Sequence, residues 1–244
     1  MITATILGFL LGIIRLSNNW VASRLVYVFI ELTRNVPVLL HILLIHGIIV
    51  HILPSPKQAH TLADSIFLSN RGLTIPDPVA GDGFIFTVIA FFIAIAGVVY
   101  FRSWAKKKRE EEGKIYHVFY ISVGILFGLP LLVFLLSGLP LTWHVPEMGR
   151  FNLKGGITMI PELLALWLAL SLYTSAFIAE IVRAGIMAIN KGQWEASEAV
   201  GLTRDRTLNL VIIPQALRII IPPLTSQYLN LTKNSSLAIA MGYM

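Results

Sequence analysis

FIFTVIAFFIAIAGVVYF, residues 84–101, runs for eighteen positions without a charged side chain. At 1.5 Å of rise per residue a helix of that length reaches about 27 Å, close to the hydrocarbon thickness of a bilayer. Residues 115–138 make a second and longer uncharged run. Neither run alternates as barrel strands must, and open backbone cannot cross lipid, so both are predicted to be membrane helices. Further apolar segments cover residues 1–14, 25–53, 162–182 and 217–244. The composition agrees: 56% hydrophobic and 13% charged residues, with a mean hydropathy of +0.75. Soluble domains carry about 25% charged residues. The expected fold class is therefore an all-α integral membrane protein, a polytopic helical bundle. The short first segment and the apolar last one read as spans truncated at both ends.

The chain has no cysteine, which excludes a disulfide framework and thiolate metal ligation. Its net charge of +6 sits in connections between spans, so it speaks for orientation and not for nucleic acid. Arg15 and Arg24, the cluster from Arg102 to Lys114, and the group from Arg183 to Arg218 place thirteen basic residues in one set of alternate connections. The other set holds four: Lys57, Arg71, Arg150 and Lys154. By the positive-inside bias, 102–114 and 183–216 are cytoplasmic, whereas 54–83 and 139–161 are periplasmic and read as irregular. The basic and then acidic block 106–112 reads as a solvated helical segment with charge pairs three or four residues apart. Within 25–53, Pro37 predicts a bend.

Between the last two spans lies QWEASEAVGLT, residues 193–203. Residues 194–200 read as a short helix that Gly201 closes in the left-handed conformation. Thr203 is placed to cap a second helix through Arg204, Leu208 and Val211, which Pro214 is expected to stop. Ala196 and Ala199 give a small-residue face for another surface. An amphipathic helix lying on lipid is the competing reading.

Ionisable groups near membrane depth need partners. Glu31 with Arg34 and Glu180 with Arg183 are spaced for pairing, either as interfacial anchors or along a pathway. Lys233 lies among Asn230, Thr232, Asn234, Ser235 and Ser236 in an otherwise apolar stretch. Such a cluster either lines a cavity, to which Thr174 and Ser175 would contribute, or lies at headgroup level. Pro222 and Pro223 are expected to break the last segment. No phosphate-binding loop, H-E-x-x-H or G-x-S-x-G occurs in the sequence. His41, His46 and His51 recur every five residues, which spreads them around a helix and away from a shared metal.

The stretch Glu195-Ala196-Ser197, Gly201, Val211, Ile213, Pro214 resembles the E-A-A-x-x-x-G-x9-I-x-L-P segment of bacterial ABC importer permeases, with Ser197, Val211 and Ile213 as conservative departures. Residues 31–39, 174–186 and 233–237 are similar to motifs of the polar amino-acid permease group, with His41 standing where glutamine is usual. The outer loops and Gln193-Trp194-Glu195 suggest its subgroup for general L-amino acids. The resemblance implies a multi-pass protein of the bacterial inner membrane that catalyses nothing covalent. It implies as partners cytoplasmic ABC ATPase subunits, a second permease subunit (identical or homologous), a periplasmic amino-acid-binding protein and membrane lipid, but no nucleic acid. ATP and Mg are expected on the ATPase, with no cofactor in this chain. Glu195, Ala196, Ser197, Gly201, Val211, Ile213 and Pro214 would couple to the ATPase. Glu31, Arg34, Thr174, Ser175, Asn230, Lys233, Asn234, Ser235 and Ser236 are the candidate pathway residues. An ATP-independent channel or secondary transporter for small polar solutes is the alternative.

Overall fold

The computed structural model describes residues 1–114, 116–149 and 152–242, in two compact units. The first comprises residues 1–74 with 158–244, and the second residues 75–157.

The first unit is organised around helix α6 (Pro161–Met187). Pro161 pre-sets the first helical turn and Glu162 faces its positive end. Alanines and serines at 165, 169, 171, 175, 176 and 179 are buried along it, so neighbouring backbones approach closely. Helices α1 (Ile2–Arg15), α2 (Trp20–Asn35), α3 (Val38–His51) and α9 (Ile213–Ser235) all pack on α6. On α1 the buried side is a stripe of Ala4, Gly8 and Gly12. A Cβ on Gly8 would lie 2.5 Å from Cβ of Ile178, and one on Gly12 would lie 2.8 Å from the Ala179 carbonyl oxygen. This is small-residue packing, which takes the place of hydrophobic exclusion between helices in lipid. The hydroxyls of Thr3 and Ser171 meet at 2.8 Å along the same seam.

The bend expected in 25–53 is a break. Helices α2 and α3 diverge by 107°. Val36 and Pro37 are both extended, with ψ of 133° and 139°. The proline ring drives its predecessor out of the helical region, and two extended residues turn the chain much further than one lost hydrogen bond would.

Residues 54–83, expected to be irregular, contain antiparallel strands: β1 (His60–Leu62), β2 (Ile66–Ser69) and β3 (Gly72–Ile75). His60 faces Leu68 and Phe67 faces Thr74 across the two pairings. A late strand, Ile157–Met159, adds beside β3, and the Thr74 and Thr158 hydroxyls meet at 3.1 Å. Leu68, Leu73 and Met159 pack against buried Ile49, Leu164 and Ala165. That apolar underside is what orders an otherwise polar excursion.

In the second unit, α4 (Phe84–Glu112) and α5 (Val118–Leu136) form an antiparallel hairpin, with Gly97 against Ile125 and Arg102 Nε donating to Ser122 Oγ at 3.4 Å. Helix α4 runs through the charged block and ends at Gly113, whose φ is +69°. Lys106 with Glu110 (4.0 Å), Lys107 with Glu111 (3.7 Å), and Lys108 with Glu112 form the anticipated pairs. Strands β4 (Asp77–Ala80) and β5 (Leu141–His144) pair antiparallel, as do β6 (Glu147–Met148) and β7 (Leu153–Lys154).

Among the described residues, four helical stretches are long and apolar enough to cross a membrane: 84–112, 118–136, 161–187 and 204–239. The bent pair α2 and α3 meets that test only jointly. The helical bundle expected from the sequence is present, with small sheets confined to the stretches between helices.

Candidate coupling segment and polar pocket

After α6 the chain forms α7 (Lys191–Ala199), capped by the Asn190 side chain, which accepts from Gly192 N–H at 2.9 Å. Its other end is a complete left-handed closure. Gly201 N–H donates to the Glu198 carbonyl at 2.9 Å, and Leu202 N–H donates to the Ser197 carbonyl at 3.1 Å. Gly201 sits at φ +79°, which a Cβ disfavours. Ser197, standing where alanine is usual, is buried, and its hydroxyl donates to the Gln193 carbonyl at 2.6 Å. Trp194 packs against the buried cluster that includes Ile189, Ile212 and Ala216. The opposite face exposes Glu195, Ala196, Glu198 and Ala199. The helix thus has an anchored underside and two alanines outward.

Two expectations for the following helix are corrected. Thr203 occupies the cap position by its backbone, with Thr207 N–H donating to its carbonyl at 2.9 Å, while its hydroxyl makes no cap bond. Pro214 does not stop the helix. From α8 (Arg204–Thr207) the chain widens into a π turn over Leu208–Ile212 and continues as α9. The wider turn moves the carbonyl four residues back away from the proline ring, and Pro214 then falls in the first turn of α9, where its missing N–H costs least. Val211 is half-buried against the core, whereas Ile213 and Pro214 are exposed. Pro222 and Pro223 likewise lie within α9, which stays helical, as membrane helices tolerate.

The second cluster is a pocket of about 160 Å³ between α6 and α9, lined by Thr174, Asn230, Lys233 and Asn234 together with Tyr173, Phe177 and Gln227. Four of the predicted pathway residues therefore converge. Ser175 does not join them: it is fully buried, its hydroxyl donates to the Leu172 carbonyl at 2.7 Å, and its backbone faces Gly8 of α1. Ser235 and Ser236 turn back to the carbonyls of Thr232 and Lys233, each at 2.7 Å. Arg34 lies 3.9 Å from Glu31, and its guanidinium sits 5.5 Å from the Phe177 ring centre, so this pair borders the pocket wall. Tyr173, Phe177 and Gln227 were missed by sequence reasoning. The three-and-four spacing of Gln227, Asn230 and Asn234 was a usable signal for one of them.

Residues 103–243 match the family described as binding-protein-dependent transport system inner membrane component. The chain belongs to that family. General L-amino acid transport system permease protein AapQ of Rhizobium johnstonii is 51% identical over 241 residues, covering 99% of this chain and 60% of AapQ. Putative amino-acid ABC transporter permease protein YhdX of Escherichia coli is 50% identical over 243 residues, covering 100% of this chain and 62% of YhdX. The chain thus spans about three fifths of these relatives' length. A solved structure described as an amino acid ABC transporter with histidines aligns with a TM-score of 0.47 at 20% identity, over 99% of this chain and 66% of that one. An inner membrane component needs helices long and apolar enough to cross lipid, and this chain has them.

Proposed function

We propose that this chain is a permease subunit of an ABC importer that moves L-amino acids across the bacterial inner membrane. Residues 193–214 couple it to a separate cytoplasmic ATPase, which carries the ATP and Mg. A second permease subunit and a periplasmic amino-acid-binding protein complete the assembly. The observation that carries this reading is α7, a short helix capped at both ends, anchored through Trp194 and Ser197, with a small-residue face left open. A lever must be stiff to transmit force, and the double closure at Gly201 supplies that stiffness. The similarity to AapQ and YhdX supports amino acids as cargo. In the pocket, the Lys233 ammonium and the amides of Asn230, Asn234 and Gln227 suit a carboxylate and an ammonium on one small solute.

The test is uptake of labelled L-amino acids into proteoliposomes holding the complete complex. Uptake that needs both ATP and the binding protein is expected. Uptake by this subunit alone, driven by an ion gradient, would establish the channel or secondary-transporter alternative instead.

A further inference from the structure

At the charged end of the α4–α5 hairpin, Arg102, Lys106 and Arg109 recur along one face of α4 around buried Ala105, and Lys114 and Tyr116 close a pocket of about 450 Å³ over them. Arg102 also heads a second depression of about 280 Å³ on the α4–α5 seam, an almost wholly apolar groove walled by Val98, Val99, Phe119 and Val123. One residue thus belongs to both a cationic cup and the hydrocarbon slot that leads from it. Arg102 is held at the junction by its bond to Ser122 Oγ. Lys106 lies 4.0 Å from exposed Glu110, Lys114 pairs with Glu112 at 2.7 Å, and among the described residues no carboxylate pairs with Arg102 or Arg109. Trp104 stacks near Tyr116 at 5.2 Å and near Phe101 at 6.0 Å, an aromatic cluster of the kind that marks headgroup depth.

We infer that this cup and groove bind one anionic phospholipid, its phosphodiester among Arg102, Lys106, Arg109 and Lys114 and an acyl chain along the α4–α5 seam. Charge complementarity selects the anionic headgroup, because Arg102, Lys106 and Arg109 leave the cup net positive even with Lys114 offset by Glu112, so that it repels a zwitterionic ammonium and attracts a net negative phosphate. The groove selects a lipid over free phosphate, because only an amphiphile fills both depressions. The excess of basic residues puts this end on the cytoplasmic side, where anionic lipid attracts such clusters.

The test uses the full chain in its complete complex, purified from discs of phosphatidylcholine containing a minor fraction of phosphatidylglycerol, with retained lipid counted by native mass spectrometry. Wild type should retain phosphatidylglycerol in preference to phosphatidylcholine. Lys106→Gln with Arg109→Gln, both exposed positions that leave the helix intact, should weaken that preference by about fivefold for each charge removed. Val123→Trp, filling the groove from an exposed site, should lower phosphatidylglycerol retention with the cup unchanged. Equal retention of the two lipids by wild type, or unchanged retention in both variants, would overturn the inference. Release of the lipid by millimolar inorganic phosphate from wild type as readily as from Val123→Trp would also overturn it, by showing that the acyl groove adds nothing.

Discussion

The side-chain amide of Gln215, in the first turn of α9, donates to the side-chain oxygen of Gln193 on α7 at 3.0 Å. This bond ties α7 to α9, beside the packing of Trp194 against the buried cluster that includes Ile212 and Ala216. Motion imposed on α7 therefore has a direct structural route into α9.

Gln215→Leu removes that tie while keeping the side-chain volume. One exposed hydrogen bond is worth about 1 kcal/mol, so the fold should persist. The expected outcome is several-fold lower uptake with ATP hydrolysis largely retained, read by measuring both in the same proteoliposomes. Parallel loss of both activities, or of neither, would argue against this route.

Gly201→Val tests the closure of α7. Nothing lies within 4 Å of a Cβ built there, so the cost is backbone strain alone, about 1–2 kcal/mol, from forcing a β-branched residue to φ +79°. Membrane insertion should be normal while uptake and ATPase association fall sharply. Gly201→Asn, which tolerates the left-handed region, should recover much of both in a pull-down and uptake assay.

Gly8→Leu places a bulky side chain where even a Cβ would meet Ile178 at 2.5 Å. Overpacking of that kind costs about 1–3 kcal/mol or more, since α1 must lift from α6. A lowered melting temperature of the purified protein is expected. Leu10→Ala, on the exposed side of α1, should leave it unchanged.

Lys233→Met removes the only ammonium lining the pocket between α6 and α9 among the described residues. Transport of amino acids should fall by at least tenfold, as expected from losing a charge-assisted contact of about 1.5–3 kcal/mol, while complex assembly and basal ATP turnover are unchanged. Normal uptake kinetics across a substrate concentration series would remove this pocket from the pathway.

The last turn of α4 should respond to acid. The hydrogen bond from the Lys108 ammonium, then that from Lys114, hold the Glu112 carboxyl below the ordinary carboxylate range. The charged form is therefore favoured in the folded helix. That support is fully present above the ordinary carboxylate range and is lost as pH falls through the lowered folded value. The protection factors of the amides of residues 109–113, with the intrinsic exchange rate at each pH divided out, should fall on acidification and stay constant near neutrality. Glu112→Gln should show the acid-like protection at all pH values.

Much of the site was legible in local order. The helix of residues 194–200 and the turn at Gly201 follow from helix-forming residues ahead of a glycine, information held within a dozen positions. The four-residue rhythm of Ala4, Gly8 and Gly12 was equally local, but that it packs on Ile178 and Ala179 of α6 was not. Pro214 and the pair Pro222-Pro223 read as stops because isolated-helix rules assign each proline a lost bond. The π turn ahead of Pro214 and the membrane setting of α9 remove most of that penalty. Strands in 54–83 were illegible because their order comes from Leu68 and Leu73 resting on Ile49 and Leu164, which are distant in sequence.

That this chain belongs in a membrane, and where its exposed short helix lies, could be read from the residues in order. Those properties depend on run length, charge count and short-range turn chemistry. That Thr174 shares a pocket with Asn230, Lys233 and Asn234 while the adjacent Ser175 turns away to α1 is set by the packing of α9 and α1 on α6. Successive residues on a helix point about 100° apart, and which direction faces a cavity depends on where the neighbouring helices stand.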